Sequence, residues 1–245
     1  MNRLPGTRAV RVLLPALLVA IAPPDLAHAQ ARIQDDRPTI AVFDFENGSF
    51  PDNASYQPLT KGMPRILGSE LARNTAIRVV DRYQLRELMA EQDLQKSDRV
   101  DPATAVKLGR ILGARHLLMG SYIVDNKKKV RIDVNVINTE TSQHEYTETI
   151  EGKSDEILDL VRQLSVKLNA GLKLPSIPVA SGASQLPSSL GPNQERISQM
   201  MGRAEEELDR GNIDYAKQLM RNVLALNRNY DLAQTRLATL EKMSK

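Results

Sequence analysis

Few residues of this chain could do chemistry. The sequence contains no cysteine, which excludes thiol catalysis, disulfide bonds and thiolate metal ligands. His116 and His144 both lie in segments with a strand pattern, and neither has a carboxylate at metal-ligand spacing. We interpret both as structural histidines. The sequence therefore predicts no metal site and no cofactor.

Carboxylates near the end of the first apolar run are the best candidates for acid–base catalysis. Asp44 stands between Phe43 and Phe45, and Glu46 and Asp52 follow it. A hydrolase could use Asp44 together with these loop carboxylates, but no pair of nucleophile and base can be assembled from the sequence. The sequence therefore favours a non-enzymatic protein, and we assign no catalytic residue.

Two charged motifs have structural explanations. Gly152-Lys153-Ser154 resembles the end of a phosphate-binding loop, but the position that such a loop needs as glycine is Thr147. The run Glu205-Glu206-Glu207 is typical of a solvated helix face. We expect neither motif to form a site.

The first 29 residues are typical of a cleaved export signal. Arg3, Arg8 and Arg11 form a basic region before the apolar run 12–22, and Ala27-His28-Ala29 places small residues at both positions that cleavage requires. We predict a mature protein that begins at Gln30. Because no cysteine is available for lipidation, we expect a periplasmic or secreted protein that protein contacts could hold at the outer membrane.

Charge and aromatic content argue against nucleic-acid binding. The net charge of +3 falls to about +1 when residues 1–29, with three arginines and Asp25, are removed. Aromatic residues make up only 4% of the chain, so phosphate neutralisation and base stacking both lack their usual side chains. After the signal, no apolar run is long enough to cross a membrane as a helix.

Between residues 39 and 173 the apolar pattern alternates between strand and helix periods. Asp101-Pro102 predicts the capped start of one helix, and Ser154 predicts the N-cap of another. Ile111 and Leu118 are expected on inward faces. The patterns predict an α/β (α+β) domain with a mixed sheet of about five strands and packed helices, in the order β-α-β-α-α-β-β-β-α. The expected strands are 39–45, 77–80, 115–124, 130–138 and 143–151.

The rest of the mature chain divides into three parts. Residues 30–38 form a polar lead-in. Residues 174–193 contain four prolines, five serines and two glycines, which predicts a flexible linker. Residues 194–245 are helical in pattern throughout.

The segment 197–230 resembles one tetratricopeptide repeat. The residues that carry this resemblance are Ala204, Gly211-Asn212-Ile213, Ala216, Leu224-Ala225-Leu226 and Asn227. One repeat with a capping helix buries its apolar faces poorly. We therefore expect Ile213, Met220 and Leu224 to lie against a partner, a second copy or the α/β domain. An ordinary helical hairpin docked elsewhere is the alternative.

Five stretches of the α/β domain carry a family resemblance. They are IAVFDF (40–45), RVVDR (78–82), LRELMAEQ (85–92), AVKLGRILGARHLLMGSY (105–122) and VNVINTETSQ (134–143). Together they resemble the CsgG family, the curli production assembly/transport component. More loosely, they are similar to amino-terminal domains of the TolB type and to the lipoprotein activators of penicillin-binding proteins.

The resemblance implies a non-enzymatic envelope protein that acts by protein–protein interaction in secretion, surface-appendage assembly or cell-envelope biogenesis. The expected partners are envelope proteins, including outer-membrane secretion or cell-wall synthesis components, and a homo-oligomer is also compatible. Pore-forming members carry long membrane hairpins, for which the tight turn at 125–129 leaves no room, so no channel is expected. A ligand-sensing envelope module is the alternative, and the hydrolase is a less favoured one.

Overall fold

The computed structural model describes residues 35–50, 53–91, 101–175 and 193–243. The predicted signal, most of the predicted linker and Asp52 lie outside the described residues. The described residues from Arg37 onward belong to one compact unit.

The elements of this unit follow one another with short connections. In chain order they are β1 (Thr39–Asn47), α1 (Asn53–Tyr56), α2 (Leu59–Leu71), β2 (Arg78–Val79), α3 (Arg82–Glu91), α4 (Pro102–Ile111), β3 (His116–Val124), β4 (Lys129–Asn138), β5 (His144–Lys153), α5 (Ile157–Gly171), α6 (Gln194–Asp209), α7 (Ile213–Leu226) and α8 (Asp231–Met243).

One mixed sheet contains these five strands in the order β2-β1-β3-β4-β5. β1 runs parallel to β2 on one side and to β3 on the other, and β4 and β5 continue the sheet antiparallel. The predicted α+β class and element order are confirmed, and the single-turn α1 is an addition to them. The chain passes from β1 to β2 on one side of β1 and then crosses to β3 on the other side. The strand order therefore reverses at β1.

A bulge in β1 decides which side chains face the core. Val42 pairs with Leu118 and Phe45 pairs with Gly120, so two residues of β1 lie opposite one residue of β3. The extra residue shifts the alternation, and Phe45 rather than Asp44 is buried. A Cβ at Gly120 would lie 2.7 Å from the ring of Phe45, so the absence of a side chain there makes room for the ring.

The two faces of the sheet carry separate apolar clusters. The larger includes β4 side chains together with those of α2, α5, α6, α7 and α8, and the smaller joins α3 and α4 to the opposite face of β1 and β3. Leu118 is fully buried, which confirms its inward position. The same prediction for Ile111 is wrong, because this residue is 56% exposed. α4 buries Ala105 and Leu108 instead, and Ile111 is at the last turn on the other side.

The two predicted helix caps differ in outcome. Asp101 caps α4 as predicted, since its Oδ1 accepts hydrogen bonds from the amides of Ala103 and Thr104 at 3.0 and 3.1 Å. Ser154 is not the N-cap of α5, because a short 3₁₀ turn intervenes. The amides at the start of α5 instead donate to the side-chain oxygen of Gln194 on α6, which accepts from Leu158 at 3.0 Å and from Asp159 at 3.1 Å.

Helices α6 to α8 pack directly on the α/β part. α6 crosses α2 at Gly62 and Gly202, and a Cβ on Gly202 would lie 1.7 Å from the carbonyl oxygen of Pro58. Ile197 and Met201 are fully buried in the larger cluster. The three helices therefore share one core with the sheet.

Candidate functional site

A cavity of about 780 Å³ lies at the carboxyl end of β1 and beside the middle of β3. We call it the β1-end cavity. Its walls come from these two strands, from β4 and β5 and from the helices α2, α3, α4 and α6. In open α/β sheets, ligands bind beyond the carboxyl ends of the strands at the point where the strand order reverses. In this sheet that point is β1, and the cavity has the size of a small-molecule site.

The ion pair of Asp44 and Arg82 forms part of the cavity wall. The bulge keeps Asp44 out of the core face, and α3 begins with Arg82, whose Nη2 donates a hydrogen bond to Oδ1 of Asp44. Burial lowers the pKa of Arg82, but the charges of Asp44, Glu205 and Asp209 outweigh burial, so the pKa is raised overall. Arg82 is therefore a fixed cation, and Asp44 is committed to a charge-assisted hydrogen bond.

Asp209, at the end of α6, joins three helices at the cavity. Its Oδ2 accepts a hydrogen bond from Nζ of Lys61 on α2, and its Oδ1 accepts one from Nη1 of Arg86 on α3 at 3.2 Å. The guanidinium of Arg86 also lies over the ring of Tyr83, 5.0 Å from its centroid. The C-terminal helices thus supply a charged side chain to the cavity.

Apolar side chains line another part of the same cavity. They are Phe43, Leu85, Met89, Met119 and Ile137. All five belong to the smaller apolar cluster or pack against it. A lining with ion pairs on one side and an apolar surface on the other suits a ligand with a polar end and an apolar body.

Tyr122 lies behind the cavity wall, in the larger apolar cluster. It is fully buried, its hydroxyl donates to the carbonyl oxygen of Tyr56 at 2.7 Å, and the hydroxyl of Thr60 lies 3.2 Å away. Burial raises the pKa of Tyr122 well above its usual range. The phenol is therefore neutral at physiological pH and holds α1 and the start of α2 against β3.

A serine and a histidine line the cavity without forming a catalytic pair. His144 Nε2 lies 3.1 Å from Oδ1 of Asn135 and 3.1 Å from Oγ1 of Thr147. In the described part of the chain, no hydrogen bond joins His144 to Ser121. Glu46, one of the carboxylates proposed for a hydrolase, also lines the cavity. Asp44 and Glu46 thus line one cavity. The imidazole of His144, which could act as a base there, lies within hydrogen-bond distance of Asn135 and Thr147 and not of Ser121.

The other histidine is buried in the sheet. Nδ1 of His116 lies 2.8 Å from Oε2 of Glu145 on the edge strand. Within the four described ranges, no group of three or more histidine and carboxylate side chains could hold a metal ion. None of the helices in these ranges is both long and apolar enough to cross a membrane.

Sequence reasoning missed a buried ion cluster. The acidic run on α6 predicts a solvated face, and for Glu205 this is wrong, because its side chain is 1% exposed. The carboxylate lies 3.5 Å from Nε of Arg65 on α2 and 3.4 Å from Nη2 of Arg236 on α8. Burial lowers the pKa of Arg65, and the charge of Glu205 opposes that shift. Glu205 follows Ala204 and precedes Leu208 by three positions, so its place at the border of the apolar stripe was the available signal.

The three residues expected to contact a partner lie in different environments. Met220 is fully buried in the larger cluster, Leu224 is half-buried against it, and Ile213 at the start of α7 is 36% exposed. They do not form one exposed surface. Contact with a partner at these residues stays a prediction.

Three solved structures are similar to the chain. Lipoprotein GNA1162 from Neisseria meningitidis has 15% identity and a TM-score of 0.41, with 54% of this chain and 96% of that chain covered. The LpoB C-terminal domain from Escherichia coli has 17% identity and a TM-score of 0.37, with coverages of 48% and 83%. The PelC dodecamer from Paraburkholderia phytofirmans has 16% identity and a TM-score of 0.36, with coverages of 58% and 91%. At these values the likenesses carry no inference about function.

The comparison with sequence families is more informative. No curated protein sequence matches the chain. Residues 22–125 match the model of the family described as curli production assembly/transport component CsgG. The matched segment contains β1 to β3, and with them most walls of the β1-end cavity. The tetratricopeptide resemblance has no such match and stays a prediction. Over residues 22–125, the chain carries the sequence pattern of the CsgG family, as the sequence stretches around β1 and β3 predict.

Proposed function

We propose that this protein is a non-enzymatic accessory protein of the cell envelope. It acts through protein–protein contacts in secretion, surface-appendage assembly or cell-envelope biogenesis. The observation that carries this proposal is the match of residues 22–125 to the CsgG family. The pairing of charges in the β1-end cavity supports it, because Asp44 and Asp209 each have a cationic partner. A catalytic acid or base must be able to exchange its proton with the reacting atom, and an ion pair with a neighbouring cation holds each of these carboxylates in its charged form.

Site-specific photo-crosslinking in intact cells tests this proposal. The photoreactive residue is placed at three exposed positions that lie on different elements, namely Phe50 after β1, Val166 on α5 and Tyr215 on α7. A protein that works through a defined contact should give a discrete adduct with an envelope protein at one position and not at the others. Adducts that are absent or equal at all three positions would reject the proposal, as would adducts with cytoplasmic proteins only.

The β1-end cavity favours a second candidate function, a ligand-sensing envelope module. The supporting observation is a cavity of about 780 Å³ at the reversal point of the sheet, with both charged and apolar lining. Ser121→Trp fills the cavity, whereas Ile123→Trp adds the same volume two residues further on β3 at a side chain that is 46% exposed. If a ligand is sensed, only Ser121→Trp should fail to restore the phenotype of a deletion strain while both variants unfold at the same urea concentration. Equal restoration by both variants would reject ligand sensing.

A further inference from the structure

A second cavity, of about 400 Å³, lies between α2, the end of β2 and the first turn of α8. We call it the α2–α8 cavity. Arg65, Arg73 and Arg82 line it together with Ser69 and Thr235. Arg82 lines both cavities.

Arg65 has fewer partners than a buried guanidinium requires. A guanidinium carries five N–H donors, but the one ion pair of Arg65 among the described residues is with Glu205, and Nε makes no hydrogen bond there. Only 20% of its side chain is exposed. Nε faces Oε1 of Glu205 at 3.5 Å, and the two Nη groups make no hydrogen bond to a described residue, so a group that supplies acceptor oxygens to them at this cavity would be favourable.

The buried carboxylate behind the cavity is shared by two arginines. Glu205 is shared between Arg65 and Arg236, so two guanidinium groups face one carboxylate. One oxygen of Glu205 and Nε of Arg236 also lack a hydrogen bond in the described residues. The carboxylate of Asp81, which lines the cavity, is a further negative charge near Arg65.

Two carboxylates also line the cavity, and both are engaged. Asp231 is 73% exposed and lies 3.7 Å from Nη2 of Arg73. Oδ1 of Asp81 accepts a hydrogen bond from the amide of Tyr83 at 2.7 Å. These charges weaken the attraction for an anion, and that of Asp81 acts on Arg65 itself, but among the described residues neither carboxylate accepts a hydrogen bond from Arg65.

We propose that the α2–α8 cavity binds a small soluble oxyanion, such as a phosphate or a carboxylate, through Arg65. The anion supplies the acceptor oxygens that Arg65 lacks. Arginine recognises both groups through parallel N–H···O bonds, and the hydroxyls of Ser69 and Thr235 are further donors. The first turn of α8 adds a favourable dipole. The site connects α2 with the last helix and is independent of the partner contacts proposed above.

Isothermal titration of the purified protein with inorganic phosphate tests the site. Ionic strength is kept constant with chloride, and acetate is titrated as a singly charged carboxylate. Saturable binding of phosphate is expected. Arg65→Gln should weaken it by about tenfold or more, since a hydrogen bond to a charged group is lost. Ser69→Ala, which leaves the ion cluster intact, should weaken it to a smaller extent. Arg203→Gln removes the same charge from an exposed position of α6 and should leave the affinity unchanged.

Several outcomes would overturn the proposal. One is the absence of saturable phosphate and acetate binding by the unchanged protein. Another is an equal loss of affinity in Arg65→Gln and Arg203→Gln, because that result would indicate a general effect of charge. If Arg65→Gln unfolds, Ser69→Ala decides alone, and an unchanged affinity in this variant would also reject the site. Binding only to phosphatidylglycerol vesicles would place the anion on a lipid and contradict the proposed soluble ligand.

Discussion

Asp44 and Arg82 come from two of the sequence stretches that resemble the CsgG family, IAVFDF and RVVDR. The structure joins them in one ion pair at the β1-end cavity. The sequence shows Asp44 without a partner because its partner lies 38 positions away and is brought near only by the parallel pairing of β1 and β2. At the level of single residues, the stretches that resemble the family therefore contain an ion pair as well as residues of the apolar core.

Asp44→Asn is predicted to lower stability without removing the proposed partner contact. The change leaves the buried guanidinium of Arg82 without its counter-charge, and we expect a loss of about 1–3 kcal/mol because Asp44 is partly exposed. Urea unfolding measures the loss, and the crosslinking assay measures the contact. Asp214→Asn, at a fully exposed carboxylate on α7, is the control and should change neither. Loss of the adduct in a folded Asp44→Asn protein would indicate a site at the end of β1.

Glu205→Ala is predicted to be the more damaging carboxylate substitution. Removal of one member of a buried ion cluster leaves uncompensated charge in the interior, which costs about 3–5 kcal/mol. The matched control is Glu241→Ala on α8, whose side chain is 50% exposed and pairs with Arg221. An exposed pair contributes about 0–1 kcal/mol. Similar unfolding midpoints for the two variants would contradict the burial of Glu205.

At the level of elements, the crossing of α2 and α6 depends on two glycines. Gly202→Ala places a methyl group against the backbone of Pro58 and should cost about 3 kcal/mol or more, since backbone must move to relieve the clash. The control is Gly68→Ala on α2, where the added Cβ would lie 3.7 Å from the nearest neighbour, Val79. That change should be neutral or stabilise by up to about 1 kcal/mol through helix propensity. Thermal unfolding of both variants checks the contrast, and a stable Gly202→Ala protein would mean that the helices do not meet here.

The register of β3 predicts a second contrast. Leu118→Ala removes a fully buried side chain from the larger cluster and should cost about 2–5 kcal/mol. Ile111→Ala removes a side chain that is 56% exposed at the end of α4 and should cost about 1 kcal/mol or less. Urea denaturation of both variants gives the two values. Equal costs would show that β3 or α4 buries a different face.

Local patterns in the sequence were sufficient for most elements and insufficient for contacts between them. The alternation of Val130, Ile132, Val134 and Val136 predicts β4 because one face of the strand is buried and the other is not. Asp101 predicts a cap because capping is local. Ser154 misleads because the amides of α5 are satisfied by Gln194, which lies 40 positions later in the sequence. Such a distant partner leaves no local signal.

The candidate site was predictable only in part for the same reason. Asp44 and Glu46 were singled out by their position after an apolar strand, and both line the β1-end cavity. Lys61, Arg86 and Asp209 lie on three different helices and meet only through the packing of α2, α3 and α6. The β1 bulge, which directs Asp44, shifts the alternation by one residue, and a strict period of two cannot reveal it.

At the level of the whole molecule, the docking of α6 to α8 changes what truncation should do. A flexible tether predicts that residues 30–173 fold alone. The shared core predicts the opposite, because deletion of residues 194–245 removes Ile197, Met201 and Met220 from the larger cluster. We expect the truncated protein to lose cooperative unfolding and to aggregate in size-exclusion chromatography. Cleavage at a protease site introduced within 176–192 should instead leave two pieces that co-elute, and a well-folded, monomeric 30–173 fragment would refute the shared core.

Export is the remaining prediction at this level. The basic start of the chain, its apolar run and Ala27-His28-Ala29 predict cleavage before Gln30. Osmotic shock should release the protein, and N-terminal sequencing should begin at Gln30. A cytoplasmic protein that begins at Met1 would show that this prediction is wrong, and the proposed role in the envelope would fail with it.

β1 lies between β2 and β3 in the sheet, so it can pair on both sides only after distant parts of the chain have reached it. Ile40 pairs with Val79 on one side and with His116 on the other. Pairing across such separations closes large loops and is slow. Until β3 arrives, the apolar run TIAVFDF has two free strand edges, and a segment of this kind readily pairs with other copies of itself. Newly made protein should therefore depend on chaperones that shield this run, and the yield of refolding from denaturant should fall as protein concentration rises.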